Sequence, residues 1–170
     1  MRRGKDVVGL PVITRDNGTK IGKVEDVVLD RACTKVLGLL VDEAGWFSSA
    51  RVVAWPSILV VGLDAVIIDA EASVKKASEV PEMNEVLEGG YVLQGLELET
   101  TQGKKLGRIE EFYFDPSAGT VQGFELSGGR ERSFVPLPPT FQTGQDVAFV
   151  DPSVEGTIVD LKEALRASSS

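Results

Sequence analysis

The sequence predicts a mainly β protein: a small β domain made twice, a short helical stretch between the copies and a helix at the end. Three observations carry this. The stretch Ile21-Gly22-Lys23-Val24-Glu25-Asp26-Val27-Val28-Leu29-Asp30 is echoed by Leu106-Gly107-Arg108-Ile109-Glu110-Glu111-Phe112-Tyr113-Phe114-Asp115. Each copy follows a glycine-containing turn, at Asn17-Gly18 and at Gly103, and each ends on an Asp that opens another turn. Further matches flank the echo: Gly9, Val36 and Gly38 align with Gly95, Val121 and Gly123, and Gly62, Asp64 and Asp69 with Gly144, Asp146 and Asp151. Length changes between the copies fall at turns, where a chain tolerates them.

Taken in order, Val7 to Thr14 reads as a first strand, rich in β-branched residues, with Pro11 marking an edge or an irregularity. Asp16-Asn17-Gly18 is a hairpin turn, since Asn-Gly supplies positive φ cheaply. Ile21 to Leu29 is the next strand; its imperfect alternation fits a bent strand of a small barrel, and Gly22 allows the bend or a close backbone approach. Lys35 to Asp42 and Ala50 to Trp55 follow, separated by a hairpin tip that contains Trp46 and Phe47. Two short apolar strands lie near Ile58–Val61 and Ala65–Asp69. From Ser73 to Gly90 the chain is polar and lacks strand alternation. Short helical turns are expected there, with Met83, Val86 and Leu87 on one side and a stop at Gly89-Gly90. Tyr91 restarts the pattern. Ile158, Leu161 and Leu165 then share one face of an amphipathic helix within Thr157 to Ala167.

Composition bounds the function. The 170 residues carry 42% hydrophobic and 26% charged side chains, ordinary for a globular chain. The net charge of −8 opposes non-specific attraction to phosphate backbones. One cysteine excludes an internal disulfide framework and fits a reducing compartment. The basic start is not followed by a long apolar run, so no secretory signal is expected. The most apolar stretch, Ile58 to Ile68, is too short to span a bilayer. A cytoplasmic protein without membrane insertion is expected.

The paired motifs G-L-P-V-I-T…N-G-T-K-I-G-K-V-E-D-V-V-L-D with K-V-L-G-L-L-V, and G-L-E-L-E-T…G-K-K-L-G-R-I-E-E-F-Y-F-D with G-T-V-Q-G-F-E-L, resemble the PRC-barrel family. The resemblance implies an all-β fold of two tandem small antiparallel β-barrels. The expected division is 1–72 for the first barrel, 73–90 for the helical linker, 91–152 for the second barrel and 153–170 for the C-terminal helix and tail. The family includes the cytoplasmic domain of the photosynthetic reaction-centre H subunit and the C-terminal domain of a ribosome-maturation factor. Its roles are mainly interaction and assembly, with no common catalytic site. No counterpart of the H subunit's transmembrane helix or of the ribosome factor's extra N-terminal domain is expected, so neither specific role carries over.

Residues that carry chemistry are few. There is no histidine, which removes the commonest general base and imidazole metal sites. Cys33 cannot make a thiolate metal site alone and aligns with Ala118 in a turn, so it reads as a small turn residue. Gly18-Thr19-Lys20-Ile21-Gly22-Lys23 has the wrong spacing and context for a phosphate loop. Glu25, Asp26, Glu110 and Glu111 sit on strands, and adjacent strand residues point to opposite faces; Asp30 and Asp115 open turns. Lys104, Lys105, Arg108, Arg130 and Arg132 are candidates for a local basic face. Trp46 and Phe47, on a tip the second copy lacks, are the candidate partner-binding residues, either an anchor for a partner or a lid folded onto the barrel.

The function expected is that of a non-enzymatic interaction, adaptor or assembly module, as monomer or homodimer, with protein partners and without metal or cofactor. The alternatives are an RNA-processing or ribosome-assembly factor and, more weakly, a carboxylate-based enzyme.

Overall fold

The computed structural model describes residues 1–42 and 50–168. Its strands and helices, in chain order, begin with β1 (Arg2–Arg3), β2 (Pro11–Thr14), β3 (Lys20–Leu29), β4 (Val36–Asp42), β5 (Arg51–Ala54), β6 (Ile58–Val61), β7 (Val66–Ile68), β8 (Val74–Lys76) and α1 (Pro81–Gly89). The second half has β9 (Glu97–Thr100), β10 (Lys105–Phe114), β11 (Val121–Ser127), β12 (Ser133–Pro136), β13 (Val147–Val150), β14 (Val159–Asp160) and α2 (Leu161–Ser168). The fold is mainly β, as the sequence predicts, with two curled sheets that form tandem small barrels.

The sheets repeat one topology. One runs β6-β7-β2-β3-β4-β5-β8; the other runs β13-β9-β10-β11-β12-β14, with β1 added on β10. Pairing is antiparallel except for one parallel pair in each half, β2 with β7 and β9 with β13. In each half the parallel pair brings a late strand back beside an early one. The long strands bend at matching places. Against β4, β3 shifts register between Val24 and Asp26; against β11, β10 shifts between Ile109 and Glu111. These bulges account for the broken alternation at Glu25 and Glu110.

Several local expectations are refined. The strand expected over Val7 to Thr14 is β2 and begins at Pro11, because Val7 to Gly9 turn the chain before it. Pro11 stands at the start of an interior strand rather than on a sheet edge; the first residue of a strand is the one place there where a missing N–H is tolerated. The polar stretch after Ser73 contains a strand, β8, held by pairing Val74, Lys75 and Lys76 with Val53, Val52 and Arg51. Pro81 starts α1 instead of interrupting it, and Gly90 closes it in the left-handed region at φ 64°. At the C-terminal end, Asp160 accepts hydrogen bonds from the Lys162 and Glu163 N–H groups and starts α2.

The two halves share one core. A single buried cluster runs from Val7, Val24 and Leu39 through Leu98, Ile109 and Phe124 to Val154. Equivalent turns meet where the halves join: the Val36 N–H donates to the Gly119 carbonyl at 2.7 Å, and the Val121 N–H to the Thr34 carbonyl at 2.9 Å. The two bonds are reciprocal, since Val36 aligns with Val121 and Thr34 with Gly119. Lys35 and Thr120, also equivalent, face each other between them. The halves are therefore related by an approximate two-fold axis at this point. Exchange of segments reinforces the contact: β1, although N-terminal, pairs with Tyr113 and Phe114 of β10. A second, smaller cluster lies outside the first sheet, where Met83 of α1 covers Val28, Leu37 and Val52.

Candidate functional site

A concave feature lies between the halves. A cleft of about 810 Å³ is walled by Asp26 to Arg31 of β3 and the turn after it, by Val86 to Leu96 around the end of α1, and by Thr143 to Gln145 of the second half. That volume is within the range of ordinary ligand and peptide pockets, roughly 300–1,000 Å³. Val27, Leu93, Leu96 and Phe112 form its apolar floor, and Tyr91 and Val92 stand at the mouth, 51% and 64% exposed.

The polar groups of the cleft are mostly engaged. The guanidinium of Arg31 lies over the Tyr91 ring, 4.8 Å from its centroid, and its Nη1 is 3.6 Å from the Glu85 carboxylate. The Arg31 carbonyl accepts from the Thr143 hydroxyl at 3.3 Å, which ties the two walls together. Asp30 accepts from the Thr34 and Lys35 N–H groups and so acts as the turn opener expected of it. Asp26 accepts from the Val27 N–H at 2.8 Å, just past the bulge, and desolvation pushes its carboxyl up.

Glu111 repeats this arrangement in the second half. It accepts from the Phe112 N–H at 3.0 Å and from the Gln94 amide at 3.4 Å. Burial pushes its carboxyl above the ordinary range. Glu110 diverges from it, as expected for neighbours on a strand: it accepts from the Ser127 hydroxyl, which is the main cause of its lowered pKa, and it lies 3.4 Å from Arg132. The strand carboxylates thus serve bulges and surface pairs. Among the described residues, no group of three or more acids and cysteines has the geometry to hold a metal ion.

Cys33 occupies the turn predicted for it but is buried and has a left-handed backbone, φ 58°. Desolvation, with Asp30 nearby, pushes its thiol up to about 12, which suppresses the nucleophilic thiolate. Lys104, Arg108 and Arg132, candidates for a basic face, are each paired with an acid: Lys104 with Glu155 at 2.5 Å, Arg108 with Glu97 at 3.2 Å and Arg132 with Glu110. Gly18 to Lys23 forms a β hairpin, with Gly18 donating to the Thr14 carbonyl, and not a strand-loop-helix. Trp46 and Phe47 lie outside the described residues. Sequence reasoning did not single out the cleft; its one local signal was the apolar pair Tyr91-Val92 directly after Gly89-Gly90.

The family model described as PRC-barrel domain matches residues 1–75 and 87–156. A search of curated proteins finds no match. No helix among the described residues is long and apolar enough to cross a membrane.

Proposed function

Because the chain belongs to the PRC-barrel domain family and carries the domain twice, we propose that it is a non-enzymatic interaction and assembly module that works in the cytoplasm through protein partners. The observation that carries this reading is the exposure of Tyr91 and Val92 at the mouth of a cleft between the two halves. An aromatic and an aliphatic side chain held at the rim of an apolar pocket have the chemistry of partner anchors. Trp46 and Phe47, in a stretch of sequence that the second copy lacks, are proposed as a second anchor.

Crosslinking capture from the native cell, with the wild type beside Val92→Ser and Trp46→Ala, tests the reading. A discrete protein that co-purifies stoichiometrically and is lost with either variant, at an unchanged melting temperature, supports it. A chain that captures nothing reproducibly, or whose variants lose only stability, contradicts it.

A further inference from the structure

The two long strands are equivalent, yet their edges are covered differently. On one side β10 pairs with β11 throughout; on the other, β9 pairs Lys105 to Arg108 and β1 then pairs Tyr113 and Phe114. On one side β3 pairs with β4; on the other, β2 pairs Lys20 to Lys23. Beyond that, Val28 and Leu29, the counterparts of Tyr113 and Phe114, have no second strand among the described residues, and they line the cleft.

The reason lies in what stands opposite. The spacing that aligns Gly9 with Gly95 makes Arg2-Arg3-Gly4-Lys5 correspond to Glu88-Gly89-Gly90-Tyr91. The first segment is basic and lies beside two buried acids, Glu111 and Glu125, paired across β10 and β11; its Arg3 and Lys5 act on the Glu111 carboxyl, while Arg3 also pairs with Asp6 and Arg2 donates to the Gly62 carbonyl. Gly4 seats the segment closely, since a Cβ there would come within 2.8 Å of the Glu111 carboxylate. The second segment brings no cation, and Glu88 and Gly89 are held in the last turn of α1. The first half retains acids of its own at the same places, Asp26 for Glu111 and Asp30 for Asp115, and both line the cleft. The edge of β3 is therefore without the strand that its counterpart has and is flanked by Asp26 and Asp30, the neighbouring Arg31 being held by Glu85 and Tyr91.

We propose that β3 accepts, along Val27 to Leu29, an extended basic segment of a protein partner as an added strand, filling the cleft in the way β1 covers β10. This rests on the interaction-module reading and gives it a surface and a ligand chemistry. Main-chain hydrogen bonds along a strand edge supply affinity, and complementary side chains supply selectivity. Here the selecting groups are Asp26 and Asp30, and the apolar floor of Leu93, Leu96 and Phe112 takes the alternate side chains.

The experiment titrates the isotope-labelled full chain with a blocked peptide of the sequence of residues 1–6, and with the same peptide bearing Glu in place of each Arg and Lys. Amide shifts and amide exchange are followed. The expected result is saturable binding of the basic peptide, weakened by salt, with shifts and slowed exchange concentrated at Val27 to Leu29. Asp26→Asn keeps an oxygen for the Val27 N–H and removes the charge; it is expected to weaken binding about two- to fivefold. The proposal is overturned if no saturable binding occurs, if the shifts fall at Tyr113 and Phe114 through displacement of β1, or if the acidic peptide binds equally well. It is also overturned if the edge is occupied by a second copy, seen as concentration-dependent self-association at β3. Partner capture that persists with Asp26→Asn beside an edge silent to peptide overturns this inference alone; peptide binding at the edge with no partner captured overturns the broader reading instead.

Discussion

Gly38 and Gly123 mark equivalent points where backbones approach too closely for a side chain. A Cβ at Gly38 would run into the Val53 carbonyl and the methyl of Met83; one at Gly123 would meet the Val135 carbonyl and the Phe134 ring. The carbonyls belong to paired strands and cannot move aside cheaply. Gly38→Ala and Gly123→Ala are each expected to cost about 1–3 kcal/mol, read as a lower denaturant midpoint at constant slope. Glu111 carries a pH dependence. Burial raises its folded pKa above the unfolded value, so its contribution is fully present below the unfolded pKa and is lost as pH rises through the folded pKa. The arginine and lysine of the N-terminal segment, Arg3 and Lys5, offset part of this. Glu111→Gln keeps an acceptor for the Phe112 N–H. Its stability relative to wild type, measured by denaturant unfolding across the acidic to neutral range, should rise with pH; a difference independent of pH contradicts this role.

At the scale of elements, α1 and α2 are the same device used twice. Each follows a short edge strand, β8 on β5 and β14 on β12, and each lies against its own half. They differ in how well they pack. Met83 is 1% exposed beneath α1, whereas α2 buries no residue fully and leaves a shallow cavity of about 540 Å³ beside Phe134 and Val159. Met83→Ala should therefore cost about 2–5 kcal/mol and speed amide exchange within α1, while β10 and β11 keep their protection. The strands and hairpins were legible in the sequence, because Asn17-Gly18 and the recurring glycines mark turns and the echo fixes their equivalence. The strand β8 was not: Val74-Lys75-Lys76 is a polar edge whose conformation is set by its pairing with β5. Nor was β1 legible, since two residues carry no period and their partners, Phe114 and Tyr113, lie at the far end of the second half. The cleft escaped for the same reason: its walls come from β3, the end of α1 and the Thr143 to Gln145 turn, which no local pattern connects. Of the candidate site read from sequence, Cys33, the turn aspartates and the strand carboxylates stand where their types suggested, while their burial and their roles at the bulges depend on tertiary packing.

At the scale of the molecule, the duplication has produced one body. The core cluster crosses between the halves, and the reciprocal bonds at Val36 and Val121 fix their relation. The Trp55 ring packs within 2.7 Å of where a Cβ on Gly119 would stand, Arg2 donates to the Gly62 carbonyl at 2.7 Å, and the Met1 amine donates to the Ser168 hydroxyl at 2.8 Å. Residues of both halves share one buried cluster, so the cleft belongs to a single fold rather than to a gap between separate cores. Calorimetric unfolding of the full chain tests this most directly. A single transition, with calorimetric and van't Hoff enthalpies equal, is the predicted result. Two separable transitions, one reporting each half, would contradict it.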